Sequence, residues 1–147
     1  MKIYISSDHR GVEAENKIAD YLRQLGLTVI QSQIEHNPTD DYVDYALEVA
    51  ANVANDESSL GILLCGTGIG MSIAANKVKG IRAARCVDVD DAFYAKNHND
   101  ANVLCISANI QVDYLFEIVD TFINTKRANE EKHINRVNKI IKYETRS

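Results

Sequence analysis

The sequence predicts an α/β fold in three Rossmann-like layers. We expect a five-stranded parallel sheet in the flavodoxin-like order 2-1-3-4-5, with helices on both faces and an extra C-terminal helix. Strand and helix signals alternate along the chain, and residues 60–64 form an apolar run typical of a strand buried on both faces. A chain of 147 residues with 46% hydrophobic content suits one domain spanning residues 1–147.

The N-terminal part of the chain predicts a βαβ unit. Residues 2–6 form an apolar strand, residues 12–25 form a helix that Gly26 ends, and residues 27–31 form the second strand. The helix has one apolar face, formed by Ile18, Leu22 and Leu25.

The middle of the chain continues the alternation. A helix is predicted over residues 42–55, the buried third strand over residues 60–64, and a helix-forming stretch over residues 71–76. The inward face of the first of these helices is formed by Ala46, Val49, Ala50 and Val53.

The C-terminal part predicts two more strand–helix units and a final helix. The strands are residues 81–86 and 102–106, and the helices are residues 90–96 and 114–123. The final helix, residues 129–143, has few large apolar residues for the core, so we expect it to pack against a second copy of the chain. Its basic side is formed by Lys132, His133, Arg136, Lys139 and Lys142.

Composition limits the classes of partner and the compartment. A net charge of −5 and short apolar runs argue against nucleic acid and against membrane as partners. The three cysteines are an odd number without C-x-x-C spacing, and no secretory signal is evident, which indicates a reduced, cytoplasmic protein. No glycine loop follows Cys86 or Cys105, and we assign both to packing.

The most informative motif is the segment Cys65-Gly66-Thr67-Gly68-Ile69-Gly70, which lies between the third strand and a helix. Glycines at this spacing allow positive φ or close ligand approach, so we expect the N–H groups to converge on an anion beside the thiol. A thiolate next to such donors can remove a proton from a carbon beside a carbonyl, while the donors hold the developing enediolate charge.

Other known loops fit this segment less well. A thiol phosphatase needs an arginine six residues after the cysteine, where this chain has Met71, and no Gly-Lys-Ser or Gly-Lys-Thr closes a Walker loop. A dinucleotide fingerprint matches at Gly66 and Gly68 with Asp88 as the ribose acid, although the third glycine is missing and the loop does not follow the first strand. Nucleotide binding therefore stays an alternative.

Polar residues at other strand ends extend the candidate site. Asp8 and His9 follow the first strand, and His98 and Asn99 lie between the fourth and fifth strands. If the strand order is 2-1-3-4-5, we expect these residues to share one crevice with Cys65. Each also has an ordinary alternative, because Asp8 and His9 could cap the first helix and His98 could be a polar helix end.

Five motifs carry a resemblance to a known family over nearly the whole chain. They are Ser7-Asp8-His9-x-Gly11, Cys65-Gly66-Thr67-Gly68-Ile69-Gly70-x-Ser72-x-Ala74-Ala75-Asn76-Lys77, Gly80-Ile81-Arg82-Ala83, His98-Asn99-Asp100-Ala101-Asn102-Val103 and His133-x-x-Arg136-Val137. Together they resemble ribose-5-phosphate isomerase B and its relatives, which include allose-6-phosphate and galactose-6-phosphate isomerases.

The resemblance implies an aldose–ketose isomerase for a sugar phosphate that needs neither a metal nor an organic cofactor. Cys65 would move the proton between C1 and C2, and His98, with Asp8 and Thr67 nearby, would open the furanose ring. Family members are homodimers or dimers of dimers with sites shared between subunits, so a homodimer or homotetramer is implied. Substrate binding is implied for Asp8, His9, Tyr42, Gly66, Thr67, Gly68, Ile69, Gly70, Asn99, Asn109, Lys132 and, at the phosphate end, Arg136.

The chain departs from the family pattern mainly at the phosphate end. Lys132 and Asn109 stand where the family usually has arginines, and Val43 replaces a usual proline. Lysine keeps the charge but loses the bidentate fork. We therefore expect the isomerase chemistry on a pentose 5-phosphate or hexose 6-phosphate, with altered substrate identity or affinity. The alternative is a non-catalytic protein that binds a sugar phosphate or a nucleotide.

Overall fold

The computed structural model describes residues 1–146, which form five strands and six α-helices. The strands are β1 (Lys2–Ser7), β2 (Thr28–Gln31), β3 (Leu60–Cys65), β4 (Ala83–Arg85) and β5 (Val103–Ser107). The helices are α1 (Val12–Gln24), α2 (Tyr42–Ala54), α3 (Ile69–Ala75), α4 (Val89–Asn97), α5 (Val112–Asn124) and α6 (Glu131–Glu144), with a short 3-10 turn, His9–Gly11, before α1.

The sheet is parallel throughout, which confirms the predicted fold class, but its strand order is β2-β1-β3-β5-β4. The predicted order 2-1-3-4-5 is therefore wrong in its last two strands. Four of the five residues of β5 are apolar and buried, so this strand is stable in the interior beside β3. β4 has only three residues and ends in the exposed Arg85, which suits it to the edge of the sheet.

The helices cover both faces of the sheet, as predicted. α2 and α3 pack on one face, and α1, α4 and α5 pack on the other. The four inward residues predicted for α2 are all buried, and Tyr45 joins them. The prediction for Leu25 is wrong, because α1 ends at Gln24 and the turn at Gly26 (φ +89°) leaves Leu25 57% exposed.

The last helix, α6, contributes little to this core. Only His133 and Val137 of α6 are buried, whereas Ile140, Ile141 and Tyr143 are exposed. The prediction that this helix has few apolar residues for the core is confirmed, and an apolar surface remains on it. None of the helices within residues 1–146 is both long enough and apolar enough to cross a membrane.

Candidate active site

The carboxyl edge of the sheet places Cys65 at the point where the strand order reverses. The chain runs from β1 outward to β2 on one side and from β3 outward to β4 on the other, so the reversal lies between β1 and β3. Ligands of open parallel sheets bind at such a point. Cys65 is the last residue of β3 and is 6% exposed, and its Sγ accepts a hydrogen bond of 3.1 Å from the amide of Gly68.

The backbone of the loop requires glycine at position 68. Gly68 has φ +81° and is the N-cap of α3. A Cβ built on it would lie 3.1 Å from the carbonyl carbon of Ile106, and that atom belongs to the buried backbone of β5. The sequence prediction of positive φ in this loop is confirmed at Gly68.

Hydrogen bonds to neighbouring elements hold the loop in place. The carbonyl oxygen of Gly66 accepts bonds from Ser107 Oγ at 2.7 Å and Asn109 Nδ2 at 3.1 Å, and Arg85 Nε donates to the carbonyl of Thr67 at 3.0 Å. Thr67 Oγ1 accepts the amide of Ile69 at 3.1 Å. Among the hydrogen bonds formed within residues 1–146, none uses the amides of Thr67 or Gly70, which leaves both available to an anion.

The end of β1 lies beside this loop. The amide of Asp8 donates to the carbonyl of Leu64, and Asp8 Oδ1 accepts the amide of Arg10 at 3.0 Å, so Asp8 caps the short turn before α1. Tyr42, at the start of α2, packs against Gly70: a Cβ built there would lie 2.6 Å from the Tyr42 ring. We call Asp8, His9, Tyr42 and the segment 65–70 the carboxyl-edge cluster.

His98 does not share that crevice in one chain, and the expectation that it does is wrong. It is the C-cap of α4 and precedes β5, so it lies at the amino edge of the sheet. Cys65 is paired with Ser107, whereas Val103 begins β5, four residues earlier. At about 3.3 Å per residue, these two edges are roughly 13 Å apart. The strand direction therefore separates His98 and Cys65.

His98 belongs to a second group of residues at the amino edge. Its ring stacks on His133 of α6 with 4.0 Å between ring centroids. Burial, and then the nearby His98, lowers the pKa of His133. Asn99, Lys132 and Arg136 are exposed around the stacked pair. We call this group, with His98 and His133, the amino-edge cluster.

The segment before α6 is tied to the end of α4. Asn97 Nδ2 donates to the carbonyl of Lys126 at 3.0 Å, and the amide of Ala128 donates to the carbonyl of Asn97 at 2.8 Å. These two bonds set where α6 starts. They therefore help to place His133 against His98.

Two features of these edges were not anticipated as parts of the site. One is the stacking of His133, for which the sequence offered a signal, since His133 and Val137 share one face of α6. The other is a hydrogen-bonded cluster around the buried carboxylate of Asp40, which contacts His9, His36 and Tyr45. These four residues come from three separate segments, and no local pattern brings them together.

The remaining sequence candidates have structural roles. Burial raises the pKa of Cys86 to about 12 and also raises that of Cys105, as expected for packed thiols. Asp88, the candidate ribose acid, accepts the amide of Asp91 at 2.7 Å as the N-cap of α4. Its carboxylate is thus used within the fold, which disfavours the nucleotide alternative.

Comparisons with known proteins agree on one family. The family model described as Ribose/Galactose Isomerase matches residues 3–140. The probable ribose-5-phosphate isomerase B of Mycoplasma pneumoniae is 46% identical over 144 residues, covering 97% of this chain and 94% of that protein. The putative sugar phosphate isomerase YwlF of Bacillus subtilis is 38% identical over 148 residues, covering 100% of this chain and 99% of that protein.

Solved structures agree with the sequence comparisons. The structure of ribose-5-phosphate isomerase B from Mycoplasma genitalium with bound ribulose-5-phosphate matches with a TM-score of 0.93 at 38% identity, covering 99% of this chain and 97% of that one. The Clostridium thermocellum ribose-5-phosphate isomerase B matches with a TM-score of 0.91 at 42% identity, covering 98% and 97%.

Proposed function

The chain belongs to the Ribose/Galactose Isomerase family, and on that basis we propose that it interconverts ribose 5-phosphate and ribulose 5-phosphate in a single domain, without a cofactor. The observation that carries the mechanism is the Cys65 thiol, hydrogen-bonded by the amide of Gly68 next to the unbonded amides of Thr67 and Gly70. This arrangement puts a base and anion donors side by side, as an enediolate intermediate requires.

Proton transfer takes place on the open-chain sugar. The Cys65 thiolate removes the proton on C2, the C2–H electron pair forms the C1–C2 double bond, and the carbonyl electrons move to O1. The loop amides hold this negative charge. The hydroxyl proton of O2 then passes to O1, and Cys65 returns its proton to C1, which gives the ketose and regenerates the thiolate.

Ring opening needs an acid–base group that Cys65 does not supply. We assign it to His98 of a second copy of the chain, because His98 of the same chain lies at the opposite edge of the sheet. Each site would then combine the carboxyl-edge cluster of one protomer with the amino-edge cluster of the other. The exposed apolar side chains of Ile73 on α3 and Tyr143 on α6 support such a homodimer, and a homotetramer would repeat it.

Phosphate binding is assigned to the exposed cations of α6. Lys132 and Arg136 are one turn apart, and Arg136 forms no ion pair with any carboxylate of residues 1–146. Its guanidinium suits a phosphate dianion. Lys132 Nζ lies 3.6 Å from a carboxylate oxygen of Glu130, which competes with phosphate for the ammonium group. We therefore propose weaker phosphate binding than an arginine would give at position 132.

The other sugar contacts are assigned to the carboxyl-edge cluster. His9 and Tyr42 border the loop on the β1 and α2 sides, and the backbone of Gly66–Gly70 lines it. Asn99 would bind a sugar hydroxyl from the partner's amino edge. Asn109 donates to the Gly66 carbonyl, so it braces the loop as well as facing the substrate.

All three cysteines are free, which supports a reducing compartment, and we propose a cytoplasmic location.

The test of this mechanism is exchange of the C2 proton with solvent. Wild-type protein incubated with ribose 5-phosphate in D₂O should place deuterium at C2, as followed by proton NMR. Cys65→Ala should slow the exchange by about a thousandfold, within the range of general acid–base catalysis. The matched control, Cys86→Ala, removes a buried thiol from the core cluster on the other face of the sheet and should exchange at the wild-type rate.

The control variant makes the outcome decisive. If Cys65→Ala folds like wild type and still exchanges at a rate comparable to Cys86→Ala, Cys65 is not the base. If wild-type protein forms no ketose from ribose 5-phosphate and none from allose or galactose 6-phosphate, the isomerase assignment itself is wrong.

A further inference from the structure

The cluster around Asp40 is a closed set of hydrogen bonds beside the candidate site. Asp40 lies in the segment between β2 and α2, and its side chain is only 5% exposed. Oδ1 lies 2.7 Å from His9 Nδ1 and 3.3 Å from the His9 amide nitrogen, which donates to it. Oδ2 accepts the Tyr45 hydroxyl at 2.8 Å and lies 3.0 Å from His36 Nδ1. Each oxygen of the carboxylate thus has two partners.

The protonation state of Asp40 follows from these contacts. Burial raises the pKa of its carboxyl group, but the hydrogen bonds from His9, His36 and Tyr45 outweigh burial and hold that pKa well below its usual range. Burial, followed by the bond to Asp40, also raises the pKa of Tyr45 to about 12, so the phenol keeps its proton and donates it. Asp40 is therefore a carboxylate at neutral pH.

A carboxylate can only accept hydrogen bonds, which determines where the imidazole protons lie. His9 must carry a proton on Nδ1 to make its 2.7 Å contact with Asp40. In the neutral ring, the proton is then absent from Nε2. This second nitrogen faces away from Asp40, on a side chain that is 37% exposed.

His9 lies next to the glycine loop of the candidate site. It directly follows Asp8, whose amide is bonded to the carbonyl of Leu64, the residue before Cys65. The stacking of His36 on Tyr45, at 4.7 Å between centroids, and the bonds of both to Oδ2 keep Asp40 from turning away from His9.

We propose that Asp40 is a positioning residue that keeps a proton on Nδ1 of His9 and fixes the orientation of the ring, so that Nε2 of His9 is presented to the bound sugar phosphate. The part concerning the sugar rests on the proposed function. The tautomer itself does not. Tyr45 and His36 both contact the second oxygen of Asp40, so the contact that remains when one is lost still holds the carboxylate toward His9.

The chain offers matched variants for this test. Asp40→Ala removes the acceptor, and Asp40→Asn keeps a neutral oxygen in its place. Tyr45→Phe removes one hydrogen bond from the same carboxylate but leaves the contact of Oδ1 with His9 intact. A loss of local stability alone would affect Asp40→Ala and Tyr45→Phe alike.

The first readout is the tautomer of His9 in the substrate-free protein. At a pH high enough for the ring to be neutral, the ¹⁵N shifts of its ring nitrogens, assigned among the four histidines with a His9→Asn variant, should show Nδ1–H and a bare Nε2 in wild type and in Tyr45→Phe. In Asp40→Ala they should show a mixture of tautomers. A wild-type ring protonated mainly on Nε2, or an unchanged pattern in Asp40→Ala, would overturn the proposal.

The second readout is a double-mutant cycle on isomerase activity. Asp40→Ala should lower kcat/KM by about tenfold, the size expected for one lost hydrogen bond, and Asp40→Asn should recover part of it. In a His9→Asn background, Asp40→Ala should have no further effect. A further tenfold loss there would show that Asp40 does not act through His9. If wild type proves inactive while the tautomer pattern holds, only the proposed function fails.

Discussion

The two edges of the sheet carry the two halves of the candidate site, and they are built differently. At the carboxyl edge, Cys65 and the glycine loop are fixed by backbone atoms, with Gly68 seated against the backbone of β5. At the amino edge, His98, Lys132 and Arg136 are side chains on helices, and α6 touches the core mainly through His133 and Val137.

This difference suits the two edges to different parts of the substrate. Main-chain donors fixed by buried strands cannot reorganise easily, which suits them to a charge that develops at one defined atom. Long side chains on an exposed helix have many rotamers and tolerate exchange, which suits them to a phosphate group far from the reacting carbons. The departures from the family pattern fall at both edges: position 132 has changed at the amino edge, whereas Asn109 lies beside the complete Cys65 loop and donates to the carbonyl of Gly66.

The largest expected effect is complementation between the two edges. Cys65→Ala and His98→Asn should each be nearly inactive as pure proteins. Co-expressed with different affinity tags, they should recover roughly a quarter of wild-type activity, because half of the random dimers are mixed and each mixed dimer holds one intact composite site. Isomerase assays on the co-purified mixture measure this.

A mixture that remains inactive would contradict a site shared between protomers. The control is a pair of wild-type chains with the same two tags, which must form mixed dimers with full activity. An inactive mutant mixture beside an active control would show that Cys65 and His98 do not combine across protomers.

The second largest expected effect is a loss of stability at low pH that arises from His133 at the amino edge. The pKa of His133 is lowered by burial and by His98, with Lys132 and Arg136 adding to this and Glu130 opposing it. Residue 133 therefore binds a proton more readily in the unfolded chain than in the folded one. The contribution of neutral His133 to the free energy of unfolding is full above the unfolded histidine pKa of about 6.5 and is lost as pH falls below it.

Urea unfolding at a fixed chain concentration should therefore give a smaller free energy of unfolding at pH 5.5 than at pH 7.5. His133→Gln keeps a polar side chain of similar reach and should reduce this pH dependence. A variant with the same slope as wild type would show that titration of His133 does not weaken the amino edge.

The smallest expected effect is at the phosphate end. Lys132→Arg restores a planar fork next to Arg136 and should lower KM for ribose 5-phosphate about threefold, with little change in kcat, because the added contact is equal in the ground and transition states. Lys139→Arg, on the same helix, is the matched control and should leave KM unchanged. A change in kcat instead would place Lys132 closer to the reacting carbons than we propose.

Much of the fold was predictable from local sequence. The apolar run of β3 and the inward face of α2 are where the pattern predicts them, and the helix ends differ by at most two residues. The order of β4 and β5 was predicted wrongly, although the sequence held a signal, because two arginines, Arg82 and Arg85, interrupt the predicted strand 81–86. The separation of His98 from Cys65 follows from strand direction alone.

The sequence by itself determined the chemistry at each position: the thiol, the glycines that permit φ +81° at position 68, the imidazole of His98 and the cations of the last helix. These depend on residue type and on neighbours along the chain. Only the tertiary structure decided which groups meet, because contacts such as Asp40 with His9 and His133 with His98 join segments more than thirty residues apart. It also put Cys65 and His98 at opposite edges of the sheet. Cys65 ends one strand and His98 precedes another, and because the strands are parallel these two positions lie at different edges.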